Sequence, residues 1–216
     1  MAQQLDHIEA DSLTAHGTSH TGRVKPVNED RFLIRRLGGR RTLLAVADGL
    51  GGGFSGDAAA QTAVDDLKTL SLPPEKNRET ALLKAVHSID GHICREIEKR
   101  PELEGMATTL VCGVLDGDLL SWVSVGDSRL YLKRGSALSR ITEDQTLARF
   151  LLDEGEITAE QARTHYSKDL LDQCVGYGEC DPATGTLAVK DGDILLFATD
   201  GLHKPVPDEQ IYRILD

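Results

Sequence analysis

A predicted strand that runs into a glycine-rich turn and then a helix, residues 43–64, constrains the fold most. Its sequence is LLAVADGLGGGFSGDAAAQTAV, with five glycines between Gly49 and Gly56. Such a turn usually suggests a phosphate cradle, which in nucleotide-binding proteins lies in a parallel strand-helix-strand unit and has a conserved spacing. Here no lysine directly follows the glycines, and Asp48 stands at the mouth of the turn, where its charge would repel phosphate. The segment therefore predicts that the glycines do something other than cradle the phosphate of a nucleotide.

The order of the predicted elements indicates an α+β fold. Strand patterns cover residues 13–22, 30–37, 41–48, 107–142, 185–190 and 193–200, and helix patterns cover 56–70, about 75–100, 143–154, 158–163 and a last segment from Pro207. Pro73 and Pro74 are expected to separate the first two helices. Runs of strands followed by runs of helices favour antiparallel sheets over a doubly wound parallel sheet.

The composition argues against several classes of protein. The chain of 216 residues has a formal net charge of −11 and no apolar run near the ~20 residues that span a bilayer. We expect no nucleic-acid partner and no membrane partner, because an acidic surface repels phosphate groups. The first residues lack the features of a signal peptide, and the four cysteines have no C-x-x-C spacing. Reduced thiols and a cytoplasmic location are therefore expected.

Four aspartates stand at or near the ends of predicted strands, namely Asp30, Asp48, Asp127 and Asp200. Glycine adjoins the last three in the sequence, which leaves backbone room for an ion and its waters. Carboxylate oxygens are the ligands that Mg²⁺ and Mn²⁺ prefer. Asp116-Gly117 and Asp191-Gly192 lie between two strands, and for them a plain turn is the simpler interpretation.

Six segments, in order along the chain, resemble one known family. They are TGRVKPVNEDRF, LLAVADGLGGGFSGDAAA, GMATTLVCGVL, WVSVGDSRLYLKRG, ITEDQTLARFLLDEGEIT and GDILLFATDGLHKPVPDEQI. Together they resemble the metal-dependent type 2C (PPM-type) serine/threonine protein phosphatases in their compact bacterial form. The resemblance implies a single phosphatase domain over residues 1–216. It also implies an α+β fold, a four-layer α-β-β-α sandwich of two antiparallel sheets flanked by helices.

The resemblance also implies two Mn²⁺ or Mg²⁺ ions and a position for a third. Asp48 would bridge two ions, the Gly49 carbonyl would reach one of them, and Asp200 would be a direct ligand. Glu29 and Asp30 would act through ion-bound waters. Asp127 and Asp200 together match the third, weaker position. The seven histidines are not expected to be ligands.

The chemistry that the family performs is direct hydrolysis of phosphoserine and phosphothreonine. A hydroxide that bridges the ions would attack phosphorus in line, with no phosphoenzyme. Asp48, Asp30 and Lys25 are the expected catalytic residues, and Lys25 would contact the substrate phosphate. The expected partners are phosphorylated proteins, the substrates of a bacterial serine/threonine kinase.

Two departures from the family pattern leave alternatives open. Lys25 stands where the family has an arginine, which weakens the grip on phosphate. Arg23 lies two residues earlier, and if the predicted strand extends over both residues their side chains share a face, so Arg23 could hold the phosphate instead. The family's C-terminal helix and strand, which carry an Asp-Asn pair, have no match, since neither Asp208 nor Asp216 fits it. Either the sequence is truncated or the second ion is weakly held. A catalytically weak domain that binds phosphoproteins is therefore the alternative function, and a glycine-loop nucleotide binder is a more remote one.

Overall fold

The computed structural model of the protein describes residues 3–10, 13–51, 54–71 and 77–216. The strands within these residues are β1 Gln3–Ala10, β2 Leu13–His20, β3 Asp30–Gly38, β4 Arg41–Leu50, β5 Ala107–Asp116, β6 Leu119–Val125, β7 Arg129–Arg134, β8 Ala137–Arg140, β9 Ala183–Ala188 and β10 Ile194–Ala198. The helices are α1 Phe54–Thr69, α2 Arg78–Lys99, α3 Leu147–Asp153, α4 Ala159–Thr164, α5 Asp200–His203 and α6 Asp208–Leu215. None of these helices is long and apolar enough to cross a bilayer.

The strands form antiparallel sheets that stack in layers. The larger sheet has the strand order β3-β4-β5-β6-β9, and a three-stranded sheet has the order β10-β7-β8. Helices α1 and α2 pack on the outer face of the larger sheet through the inward side chains of β4, β5 and β6. Helix α6 lies on the outer face of the smaller sheet, where Lys133 lies over the ring of Tyr212. The layers confirm the predicted α-β-β-α sandwich.

Alternation along each strand separates two apolar cores. In β5, Leu110, Cys112 and Val114 face the helices, while Val111 and Leu115 face the smaller sheet. Successive side chains of a strand point to opposite faces, so each face of β5 contributes to a different core. In helix α2 the buried apolar residues recur at helical spacing, at Leu82, Val86, Ile89 and Ile93. The hydrophobic effect over both faces therefore fixes the register of the central strands.

The predicted elements agree with the structure except at a few positions. Strand β1, which pairs with β2 along its whole length, was not predicted. Strands β9 and β10 flank the predicted turn at Asp191-Gly192, but they join different sheets and form no hairpin. Helix α3 begins at Leu147 instead of Glu143, because Thr146 is its N-cap. The predicted helix break at Pro73 and Pro74 lies outside the described residues, as do Gly52 and Gly53 of the glycine-rich turn.

Candidate functional site

Two of the predicted aspartates are brought together by the pairing of β3 with β4. Asp30, the first residue of β3, is the cross-strand partner of Asp48. The neighbouring strand β5 holds the backbone of Asp48 on its other side. The Asp48 N–H donates a hydrogen bond to the Thr109 hydroxyl (3.3 Å), and the Thr108 hydroxyl donates one to the Asp48 carbonyl (2.9 Å). The Asp48 carboxyl is therefore fixed at the end of the sheet, and the residue is only 8% exposed.

Asp200 reaches the same place from the end of β10. It is the first residue of α5, and the preceding Thr199 donates its hydroxyl hydrogen bond to Asp30 Oδ2 at 3.2 Å. The carboxyls of Asp48 and Asp200 lie close enough for each to shift the pKa of the other. The ends of β3, β4 and β10 thus place Asp30, Asp48 and Asp200 in one cluster.

Asp127, which follows β6, belongs to the same cluster through a lysine. The Lys204 ammonium lies 2.7 Å from Asp200 Oδ2 and 3.4 Å from Asp127 Oδ2. The buried His203 ring contacts the Asp127 carbonyl through Nε2 at 3.0 Å, which ties α5 to the end of β6. All four aspartates singled out from the sequence therefore lie together.

Glu29 lies beside this cluster, in the segment that precedes β3. It is buried, and Lys25 donates a hydrogen bond to its Oε2 at 2.7 Å. Its Oε1 is buried without a hydrogen-bond partner among the described residues. A Cβ built at Gly56 would lie 2.7 Å from this oxygen, and one at Gly49 would lie 2.0 Å from the Gly56 carbonyl oxygen. The glycines are therefore needed because the backbones of β4 and α1 meet there.

The electrostatics of the cluster follow from burial and like charge. Burial, with the nearby carboxylates of Asp30, Asp200 and Asp127, raises the pKa of Asp48 to about 9. Burial also raises the pKa of Asp30 and of Asp127. For Asp200 burial acts in the same direction, but hydrogen bonds from Lys204 and Asp48 outweigh it and lower the pKa. Asp48 is therefore the aspartate of the cluster whose pKa is raised furthest, and without cations its protonated form is favoured at neutral pH.

A cavity of about 410 Å³ borders the cluster. Asp127, His203 and Lys204 form one part of its wall, and side chains of α3 and α4 form another.

Arg23 does not lie on a strand with Lys25, as the sequence suggested, because β2 ends at His20 and residues 22–24 form a turn. Gly22 makes this turn possible with a φ of 78°. The argument that Arg23 and Lys25 share a strand face is therefore wrong.

Comparisons with known proteins give the site its context. The family model of protein phosphatase 2C matches residues 16–215. The chain belongs to the protein phosphatase 2C family. It is 37% identical over 198 residues to the serine/threonine protein phosphatase PstP of Mycobacterium tuberculosis, which is 91% of this chain but only 38% of that protein's length. It is 33% identical to the serine/threonine phosphatase stp of Listeria innocua, over 90% of this chain and 79% of that protein.

A solved structure extends this likeness to the fold and to metal. The catalytic domain of PstP in complex with two manganese ions superposes with a TM-score of 0.75 and 34% identity. The superposition covers 98% of this chain and 82% of that domain. The manganese ions are a property of that structure. Its likeness to this chain confirms the predicted phosphatase 2C sandwich.

The residues of this phosphatase 2C chain fit divalent metal ions in their chemistry. The donors are carboxylate oxygens, which hard cations prefer, and the Glu29 Oε1 atom is buried and unpaired. In the described residues no three His, Cys, Asp or Glu side chains already converge with the spacing of metal ligands. Without an ion, the raised pKa of Asp48 favours its protonated form instead. Binding an ion would have to release that proton, which is the usual coupling at carboxylate metal sites.

Several residues of this phosphatase 2C site were not found from the sequence. Thr108 and Thr109 position Asp48, and His203 and Lys204 contact Asp127. The two threonines lie in a segment that carried the family resemblance, but nothing in their type points to a role. Lys204 had a weak signal, because it follows Asp200 by four residues, the spacing of an ion pair on a helix.

Proposed function

We propose that the chain is a Mn²⁺- or Mg²⁺-dependent phosphoprotein phosphatase that hydrolyses phosphoserine and phosphothreonine. The observation that carries this proposal is the meeting of Asp30, Asp48 and Asp200 at one end of the sandwich, with Asp127 beside them. Burying several carboxylates together costs free energy unless cations compensate them. Such a cluster is consistent with a site built for cations and, in this family, with phosphate ester hydrolysis.

The proposed ion ligands are those of the family pattern. Asp48 would be shared by two ions, Asp200 and the Gly49 carbonyl would each contact one, and Glu29 and Asp30 would contact ions through water. The bound ions would supply positive charge for the phosphoryl oxygens and a water of lowered pKa as nucleophile. The unpaired Glu29 Oε1 supports its place among these residues, because a buried acceptor needs a donor.

Lys25 is the proposed contact for the substrate phosphate. The Lys25 side chain is 61% exposed, and its ammonium pairs with Glu29. The ammonium can therefore turn toward a substrate while it stays near the carboxylates. Asp48 and Asp200 lie close enough to raise the pKa of Lys25, after the larger effect of its hydrogen bond to Glu29. Lys25 is therefore charged at neutral pH. Arg23, in the exposed turn before it, is the alternative phosphate contact.

The proposed substrates are phosphorylated proteins, including those of a bacterial serine/threonine kinase. The cavity between the carboxylate cluster and helices α3 and α4 supports this class, because it offers room for a peptide segment beside the site. We place the activity in the cytoplasm, on the free state of all four cysteines. The relatives' names state activities of those proteins, and the mycobacterial match covers 38% of that relative.

A second candidate is a catalytically weak domain that binds phosphoproteins. It is favoured by lysine in the place of the family's arginine, since an ammonium holds phosphate as a point charge and lacks the bidentate fork. The aspartates of α6 and of the residue after it have partners on β7, away from the carboxylate cluster. Asp208 accepts a hydrogen bond from Tyr131, and Asp216 pairs with Lys133.

Phosphate release from a phosphothreonine peptide separates the two candidates. We expect turnover with Mn²⁺, loss of turnover with EDTA, and loss in Asp48→Asn and Asp200→Asn while both variants stay folded. Asp191→Asn, in the exposed turn between β9 and β10, is the matched control and should keep full turnover. Peptide binding without turnover in Mn²⁺ would favour the binding module. ATP binding without any ester hydrolysis would contradict both.

A further inference from the structure

The ammonium of Lys204 lies inside the carboxylate cluster, between two of its acids. It is 2.7 Å from Asp200 Oδ2 and 3.4 Å from Asp127 Oδ2, so it sits between the two acids. Asp127 is almost completely buried, with 8% of its side chain exposed, while the lysine side chain is 39% exposed. The ammonium therefore compensates a buried carboxylate from the solvent side.

The backbone holds Lys204 in this position. Lys204 is the C-cap residue of helix α5, and its N–H donates a hydrogen bond to the Asp200 carbonyl at 3.0 Å, which places the lysine one turn after Asp200. The adjacent His203 is buried and contacts the Asp127 carbonyl. The start of the lysine side chain is thus fixed relative to both acids, and its length spans the remaining distance.

We propose that the Lys204 ammonium takes the place of a third divalent ion between Asp127 and Asp200. A Mg²⁺ or Mn²⁺ ion there would need carboxylate oxygens at about 2.1 Å, and the Oδ2 atoms of both acids already contact the ammonium. The ion would have to expel a like charge that the backbone holds nearby. The ions of the proposed phosphatase, on which this inference rests, are then confined to the side of Asp48 and Glu29.

The number of Mn²⁺ ions bound per chain should depend on the charge at position 204. Lys204→Met removes the charge and keeps an unbranched side chain, so Asp127 and Asp200 become free to bind an ion. We expect Lys204→Met to bind one more Mn²⁺ per chain than the unaltered protein. The affinity for Mn²⁺ between Asp127 and Asp200 should be at least ~10-fold higher in Lys204→Met than in the unaltered protein. Lys204→Arg keeps the charge and should show no added ion.

Titration of the metal-stripped full chain with Mn²⁺, by calorimetry and by electron paramagnetic resonance of the free ion, measures this number. In Lys204→Met, a second change of Asp127→Asn should remove the added ion. In the unaltered protein, Asp127→Asn alone should leave the number of bound Mn²⁺ ions unchanged. This last measurement needs no lysine variant, so it decides the question even if Lys204→Met does not fold.

Two outcomes would overturn the proposal. One is an unchanged ion number in folded Lys204→Met, and the other is the loss of one Mn²⁺ when Asp127→Asn is made in the unaltered protein. Failure of the proposed function is a separate result, namely no Mn²⁺ bound by the unaltered protein at all. The number of bound Mn²⁺ ions can be compared between the unaltered protein and Lys204→Met whether or not the unaltered protein binds Mn²⁺.

Discussion

Replacing Asp48 with asparagine should make the metal-free protein more stable while removing its response to divalent ions. Burial and the neighbouring carboxylates raise the pKa of Asp48 to about 9, so the folded protein holds a proton there at neutral pH. The unfolded chain, with an ordinary aspartate pKa near 4, does not hold it. Asparagine needs no proton, and its amide group can donate hydrogen bonds to the neighbouring carboxylates.

The sign and size of the effect follow from proton linkage. Between pH 4 and 9 the folded state carries one proton more than the unfolded state, so the free energy of unfolding falls by about 1.4 kcal/mol per pH unit. Over the three units from pH 5 to pH 8 this amounts to at most about 4 kcal/mol from Asp48. Below pH 4 both states are protonated and the contribution disappears. Asp48→Asn should lack this part of the pH dependence.

Urea denaturation in EDTA at pH 5, 6.5 and 8 measures the effect, with Asp191→Asn as the exposed control. We expect Asp48→Asn to gain stability over the unaltered protein as the pH rises, and the control to follow the unaltered protein. Mn²⁺ should raise the melting temperature of the unaltered protein and the control but not that of Asp48→Asn. The reasoning is refuted if Asp48→Asn is less stable at pH 8 in EDTA, or if its stability falls with pH as steeply as that of the unaltered protein.

Three further predictions concern other parts of the molecule. Lys25→Arg should lower the KM for a phosphothreonine peptide, by an amount equivalent to about 1 kcal/mol of binding free energy, with little change in kcat, because a guanidinium meets two phosphate oxygens. An unchanged KM in Lys25→Arg, together with a large rise of the KM in Arg23→Ala, would assign the phosphate contact to Arg23. Gly49→Ala should cost about 3 kcal/mol or more of unfolding free energy in urea, since its Cβ would lie 2.0 Å from a carbonyl oxygen. Burial raises the pKa of the thiols of Cys112 and Cys180 to about 12, so both should react with Ellman's reagent at pH 8 only after unfolding, and fast reaction of the folded protein would contradict their burial.

The sequence predicted the parts of the fold that local patterns determine. The central strands β4 to β6 are short, nearly continuous apolar runs, and Asp116-Gly117 supplies the turn between β5 and β6, so their positions follow from composition and turn signals. The four strand-end aspartates were found for a similar reason. An aspartate at or near the end of an apolar strand is expected at the end of a sheet, and the structure brings all four together. Their roles toward ions stay a prediction.

The missing parts depend on contacts between distant segments. Strands β9 and β10 are separated only by a short turn, but pairing with β6 and with β7 assigns them to different sheets. Lys204 could not be placed in the cluster, because its contact with Asp127 depends on packing of α5 against the end of β6. Arg23 was misplaced for the opposite reason, since a strand was extended into a turn that starts at Gly22.

Anomalous scattering from crystals soaked in Mn²⁺ and measured at the manganese absorption edge tests the central claim, that the aspartate cluster is a divalent metal centre. We predict peaks within bonding distance of the Asp48 carboxylate, one of them also next to the Gly49 carbonyl, and none in crystals of Asp48→Asn treated in the same way. No peak at Asp48 in the unaltered protein under saturating Mn²⁺, with peaks only at other surface carboxylates, would contradict the account.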